Sequence, residues 1–148
     1  MALVELQTGH DILVVEEIFP GFSALALFNH WIQPDLLCLW WPPEAEIDAR
    51  LGGAYHLTWP QQNWHLRGHY TSFEPGKTLG FIWRWDHEPA ELPTRDVLIQ
   101  FAPDAGGGTK LTLTHSVYGD SAEEQEQRAS HLAGWQYFFD RLQNIHHF

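Results

Sequence analysis

Hydrophobic and polar positions alternate along most of the chain, and this pattern predicts a sheet made of short strands. The first run, 11–19, is rich in β-branched residues and ends at Pro20-Gly21. After residue 43 the alternation recurs between turn residues, in the runs 44–50, 53–59, 64–73, 79–85, 96–102 and 110–117. Short alternating runs of this kind are typical of an antiparallel meander. We therefore predict about seven antiparallel strands.

Two short helices are predicted between the first strand and the second. Ser23 can cap a helix over 24–31, and Pro34 suits the first turn of a helix over 35–41. Pro42-Pro43 ends the second helix because proline has no backbone N–H. The region carries three tryptophans, which would provide a homodimer interface if they were exposed: Trp31, Trp40 and Trp41.

The last stretch, 121–148, is predicted to be one long helix. Ser121 and Glu124 have the spacing of a capping box, which marks its start. At about 100° per residue, one side is apolar in the second half, with Leu132, Trp135, Phe138, Phe139, Leu142 and Ile145. The same side is polar in the first half, with Glu124, Arg128 and His131. Because the two short helices are too small to cover the meander, the long helix should pack against it, which gives a single α+β domain over 1–148.

Charge and composition exclude several classes of protein. The formal net charge is −11 with eight Lys and Arg, which argues against binding to nucleic acid or to an anionic membrane. No apolar run reaches membrane-spanning length, and the N-terminus does not have the pattern of a signal peptide. A single cysteine, Cys38, precludes an internal disulfide. We therefore expect a cytoplasmic protein.

The chain is unusually rich in large rings. Eight Trp, nine Phe and four Tyr exceed what a core of this size needs, so we expect some of them to line a hollow or an interface. The ten histidines do not have the spacing of a metal site, and we expect neither a metal ion nor a cofactor. Cys38 lies in an apolar helix, where a buried and unreactive thiol is expected.

Several segments, taken in order, resemble a known family. They are a proline-led helix ending in Trp-Trp-Pro (34–42), an acidic–Arg–Gly-Gly–aromatic pair of strands (48–55), the next hairpin (68–75 and 79–83), a Gly-Gly-Thr strand (107–115) and the late segment 131–135. Together they resemble the family named after the activator of the Hsp90 ATPase, in the START-like or helix-grip superfamily. The resemblance extends from about Ile12 to Leu142.

This resemblance implies a helix-grip fold, in which a curved antiparallel sheet wraps around the C-terminal helix and encloses a hydrophobic cavity. Members of the family include co-chaperone domains and ligand-sequestering proteins, and related branches include lipid carriers and cyclases. The fold therefore leaves the function open. A co-chaperone-like interaction module is one alternative, although we expect no chaperone-binding domain ahead of this one. A cyclase- or hydrolase-type enzyme with His115 or His131 as general base is another.

The favoured prediction is that a small hydrophobic or aromatic molecule binds in the internal cavity. Arg128 and His131 are expected at the cavity entrance, where they would orient a polar group of the ligand. The simpler alternative is that Glu124 and Arg128 form an i,i+4 pair on a solvated helix face. The full set of expected ligand-binding residues is Trp59, Trp64, Phe81, Trp83, Trp85, Phe101, His115, Arg128, His131, Trp135 and Phe139.

Overall fold

A computed structural model of the chain describes residues 2–145, which form three helices and one eight-stranded antiparallel sheet. The helices are Ala24–Ile32 (α1), Pro34–Leu37 (α2) and Ala122–Gln143 (α3). The strands are Val4–Leu6 (β1), Ile12–Phe19 (β2), Glu44–Ile47 (β3), Ala54–Trp59 (β4), Trp64–Glu74 (β5), Thr78–Trp85 (β6), Arg95–Pro103 (β7) and Thr109–Ser116 (β8). The predicted α+β helix-grip architecture is therefore confirmed.

The strand order is β1-β2-β8-β7-β6-β5-β4-β3, so the meander from β3 to β8 is continued by the N-terminal strands. β2 lies along the whole of β8, with Ile12 opposite Ser116 and Phe19 opposite Thr109. The short edge strand β1 was not predicted, because three residues are too few to show an alternating pattern. It pairs with the middle of β2, where Val4 lies opposite Glu16.

Helix α3 packs against the sheet through the predicted apolar stripe in its second half. Trp135, Phe139 and Leu142 are buried, whereas Leu132, Phe138 and Ile145 are half-buried at the margin. The helix begins as predicted, with the Ser121 hydroxyl accepting a hydrogen bond from the Glu124 N–H at 3.1 Å. It ends at Gln143, so Asn144 and Ile145 are not helical as predicted. The last predicted helical residues, 146–148, lie outside the described residues.

Helices α1 and α2 close the core beside α3. Trp31, Trp40 and Trp41 are all buried, so they do not form the exposed dimer interface that the sequence suggested as one alternative. Trp40 donates its indole N–H to the carbonyl of His30 at 2.9 Å. Helix α2 ends at Leu37 rather than at residue 41, and the following turn directs both adjacent indoles inward. Within the described part of the chain, no helix is long and apolar enough to cross a membrane.

Candidate functional site

A pocket of about 230 Å³ lies between the sheet and α3. We call it the tryptophan pocket, because six of the chain's eight tryptophans line it. The tryptophans are Trp41, Trp59, Trp64, Trp83, Trp85 and Trp135, and the other lining residues are Ser130, His131, Gly134 and Phe138. A second void, of only about 10 Å³, lies between the sheet and the two short helices.

Strand register brings the sheet tryptophans to the pocket. Trp59 and Trp64 lie opposite each other at the β4–β5 hairpin, and Trp83 and Trp85 are two residues apart on β6, which places them on the same face. The ring centroids of Trp59 and Trp85 are 5.3 Å apart, and those of Trp64 and Trp85 are 5.9 Å apart. Trp41 stacks on Trp83 at 5.9 Å, which links the turn after α2 to the sheet.

The pocket has a buried floor and an accessible rim. Trp41, Trp83 and Trp135 are almost fully buried and form the floor. Trp64 is 45% exposed, and Trp59 and Trp85 are half-buried, so these three rings form the rim. A ligand could therefore enter past the rim without unfolding of the core.

Small residues on α3 leave the pocket open on the helix side. Gly134 and Ser130 are four residues apart and therefore lie on the same helix face. A Cβ atom added at Gly134 would meet no heavy atom within 4 Å. Close packing therefore does not require a glycine at this position, and the missing side chain leaves space that belongs to the pocket.

His131 provides the polar end of the pocket. Its Nδ1 lies 2.7 Å from the hydroxyl of Tyr118, so Nε2 is the ring nitrogen that remains for a ligand. Because a hydroxyl can donate or accept, Tyr118 is compatible with either tautomer of the imidazole. His131 can therefore offer a ligand either a donor or an acceptor.

A second histidine, His115, contacts the ring of His131. His115 is completely buried, and the Trp135 indole N–H donates to its Nδ1 at 3.2 Å. That bond places the His115 proton on Nε2, which has no hydrogen-bond partner among the described residues. Burial lowers the pKa of His131 to about 4, with a further contribution from the positive charge of Arg95. Burial also holds the pKa of His115 well below its ordinary value, so both imidazoles are neutral at pH 7.

An ion pair between the buried Arg95 and the half-buried Glu124 lies next to the two histidines. Arg95 is 5% exposed and forms a bidentate contact with Glu124, at 2.7 Å and 3.1 Å. Its guanidinium lies 4.6 Å from the ring centre of Tyr118 and also donates to the carbonyl of Val117. The hydrogen bond from Arg95 is the main reason why the pKa of Glu124 is lowered.

The ion pair lines a second concavity, of about 530 Å³, beside the pocket. We call it the acidic groove, because Glu88, Glu123 and Glu124 line it together with a single guanidinium, that of Arg95. It shares four residues with the tryptophan pocket, so the two spaces adjoin: Trp64, Trp85, Ser130 and His131. Within residues 2–145, no group of three or more His, Cys, Asp or Glu side chains could hold a metal ion.

The structure brings together six of the residues expected at the site, namely Trp59, Trp64, Trp83, Trp85, His131 and Trp135. His115 contacts His131 but lies beneath the pocket. Three of the expected phenylalanines do not line the tryptophan pocket. Phe81 borders the small second void, Phe101 packs on Phe28 at 5.6 Å, and Phe139 packs on Phe19 at 5.7 Å.

Arg128 also lies away from the pocket, contrary to its expected place at the entrance. Its guanidinium donates to the carbonyl of Ile12 at 2.9 Å and lies 3.0 Å from the carboxylate of Glu5, so it points toward β1 and β2. The alternative prediction of an i,i+4 pair between Glu124 and Arg128 is wrong, because Glu124 pairs with Arg95 instead. The buried guanidinium of Arg95 has the greater need of a counter-charge.

Sequence reasoning missed several residues around the pocket. Arg95 and Tyr118 gave no signal, since each contributes only through contacts with distant parts of the chain. Trp41 was not among the expected ligand-binding residues, and it lines the pocket floor. A detectable signal did exist in α3, where Ser130 and Gly134 interrupt a helix face that otherwise carries large rings.

Residues 22–147 match the sequence profile of a family described as Activator of Hsp90 ATPase homolog 1-like protein. The chain belongs to this family. No curated protein matches the chain. The family assignment agrees with the observed sheet and C-terminal helix.

Solved structures similar to this member of the Hsp90-activator-like family show the same fold. Protein MLL2253 from Mesorhizobium loti has a TM-score of 0.76 and 22% identity, over 89% of this chain and 93% of that one. A protein from Rhodobacter sphaeroides has a TM-score of 0.79 and 18% identity, over 97% and 96%. CalU16 from Micromonospora echinospora has a TM-score of 0.70 and 20% identity, over 95% and 81%. At these identities the likeness concerns the fold alone.

Proposed function

We propose that this protein binds a small hydrophobic or aromatic molecule in the tryptophan pocket. The observation that carries the proposal is an open space lined by aromatic rings. On the helix side of this space, Gly134 leaves room that no neighbouring heavy atom occupies. Apolar walls with a few polar groups are typical of small-molecule sites.

The size of the pocket limits the ligand. A cavity of about 150 Å³ is enough to hold benzene in an engineered protein core. The tryptophan pocket, at about 230 Å³, would therefore hold one ring with a short substituent. His131 Nε2 would hydrogen-bond a polar group on that ligand, because Tyr118 occupies the other ring nitrogen.

Binding is favoured over general-base catalysis by the state of the two histidines. A pKa of about 4 makes His131 a weak base at neutral pH. His115 has the same tendency, and it is completely buried, so a substrate would have no access to it.

The test is to block the pocket without disturbing the fold. Gly134→Leu directs a side chain into the open space and replaces a poor helix former with a good one, so the fold should be retained. Native mass spectrometry and thermal shift against a panel of one-ring compounds should show binding to the wild type and its loss in Gly134→Leu.

The matched control is Ala133→Leu, which adds the same side chain at the neighbouring, exposed position of α3. It should bind as the wild type does. Wild-type affinity in Gly134→Leu for every compound bound by the wild type would contradict binding in this pocket.

A further inference from the structure

We infer that the ligand of the tryptophan pocket is a small organic cation, of the quaternary ammonium class with one attached ring, held against indole faces. This inference rests on the proposed function and specifies the chemistry of its ligand. It follows from the arrangement of the rings, the absence of positive charge in the described pocket lining and the sign of the charge at the entrance.

Trp85 packs against three other tryptophans of the rim and the floor, and its ring is inclined to each of them. The ring plane of Trp85 makes angles of 55° with Trp59, 64° with Trp64 and 88° with Trp83. In the proposed site, these inclined rings turn indole faces toward the ligand. An indole face carries negative potential and attracts a cation within about 6 Å, and cages of such faces recognise quaternary ammonium groups.

The described lining of the pocket contains no Lys or Arg side chain that would repel a cation. His131 is the titratable residue of this lining, and the low pKa of the imidazole keeps the ring uncharged at neutral pH. In the tautomer with the proton on Nδ1, Tyr118 accepts that proton and the Nε2 lone pair remains. The polar end of the pocket can therefore also accommodate a positive charge.

The acidic groove would concentrate cations beside the pocket. The guanidinium in the groove lining belongs to Arg95, and the carboxylate of Glu124 already neutralises its positive charge. Glu88 and Glu123 remain, so the net charge of the groove is negative. The whole chain has a formal charge of −11, and a field of one sign raises the local concentration of the opposite ion.

A pair of ligands with the same shape isolates the charge. N,N,N-trimethylanilinium and tert-butylbenzene differ in one central atom, nitrogen or carbon, and hence in charge. Isothermal titration and ligand-observed NMR should show that the cation binds about 5-fold to 30-fold more tightly than the neutral compound.

Two variants connect this preference to the indole faces. Trp64→Leu and Trp85→Leu keep an apolar side chain but remove the quadrupole, so each should weaken binding of the cation more than binding of tert-butylbenzene. Trp64 is 45% exposed, so its replacement should leave the fold intact. Tyr137→Leu is the matched control, because this ring is 61% exposed and does not line the pocket.

The outcomes separate this inference from the function on which it rests. Tighter binding of the cation, reduced in both tryptophan variants, supports it. Binding of tert-butylbenzene as tightly as the cation would overturn the cation preference and leave the ligand-binding function standing. If neither compound bound and the wider panel also failed, both proposals would be overturned.

Discussion

The imidazole rings of His115 and His131 stack face to face, with centroids 4.4 Å apart and planes inclined by only 9°. Trp83 contacts both rings, at 4.6 Å and 5.3 Å. Two imidazolium ions could not remain at this distance, since like charges in a buried site repel strongly. The stack therefore cannot hold a proton charge on both rings, which makes the site sensitive to acid.

Acid should destabilise the protein through His131. The unfolded side chain binds a proton near its ordinary pKa of 6.5, whereas the folded one does so at about 4. Between these values acid favours the unfolded state, so His131 alone should lower the free energy of unfolding by about 3 kcal/mol as the pH falls. Urea unfolding at several pH values measures this. His131→Phe should flatten the curve, and an equally steep curve in the variant would contradict it.

Removal of the counter-charge of Arg95 should lower the free energy of unfolding. Glu124→Gln leaves a guanidinium that is 5% exposed without its carboxylate, and we expect a loss of about 3 kcal/mol in unfolding free energy. Chemical denaturation measures this, with Glu126→Gln, at an exposed position of the same helix, as the control. The double variant Arg95→Leu/Glu124→Leu should lose less than the sum of its two single variants. Strict additivity would mean that the pair contributes no coupling.

Arg128 should stabilise the N-terminal strand and not the ligand. Arg128→Ala removes the contacts with Ile12 and Glu5, and we expect a loss of about 1 kcal/mol and faster amide hydrogen exchange in β1. Ligand affinity should stay unchanged, because the guanidinium lies away from the tryptophan pocket. Arg141→Ala, at an exposed site on α3, is the control for exchange. Loss of binding in Arg128→Ala would contradict the placement of this residue.

Phe139 should act through the core alone. It is completely buried against Phe19 and Trp31, so Phe139→Ala should cost about 3–5 kcal/mol of unfolding free energy. Tyr137→Ala, two residues away on the exposed face, should change stability by less than about 0.5 kcal/mol. Thermal and urea denaturation compare the two. Similar losses in both variants would contradict the observed orientation of α3.

Much of the fold was predictable because the information is local. The strands from β2 to β8 alternate in their side chains, and the Ser121 cap fixes the start of α3. Where local information is absent, the prediction failed. β1 is too short to alternate, and the end of α2 is set by the inward turn of Trp40 and Trp41 rather than by helix propensity.

The site was only partly predictable. Hydrophobic periodicity shows which face of a helix or strand is buried, but it does not show which residues along that face reach the pocket. Trp83 and Phe101 were both expected to bind the ligand and both are buried, yet only Trp83 reaches the pocket. The same limit applies to Trp135 and Phe139, which are four residues apart on one helix face. The partner of a buried charge is also set by the tertiary structure, as the pairing of Glu124 with Arg95 across 29 residues shows.

The open sheet has a consequence for how separate copies of the chain behave in solution. Its two edge strands, β1 and β3, carry unpaired backbone groups that could align with another molecule. β1 has only three residues, and β3 presents the exposed carboxylates of Glu44 and Glu46. A second strand of the same kind would bring like charges together. The edges should therefore discourage strand-to-strand aggregation even at high concentration.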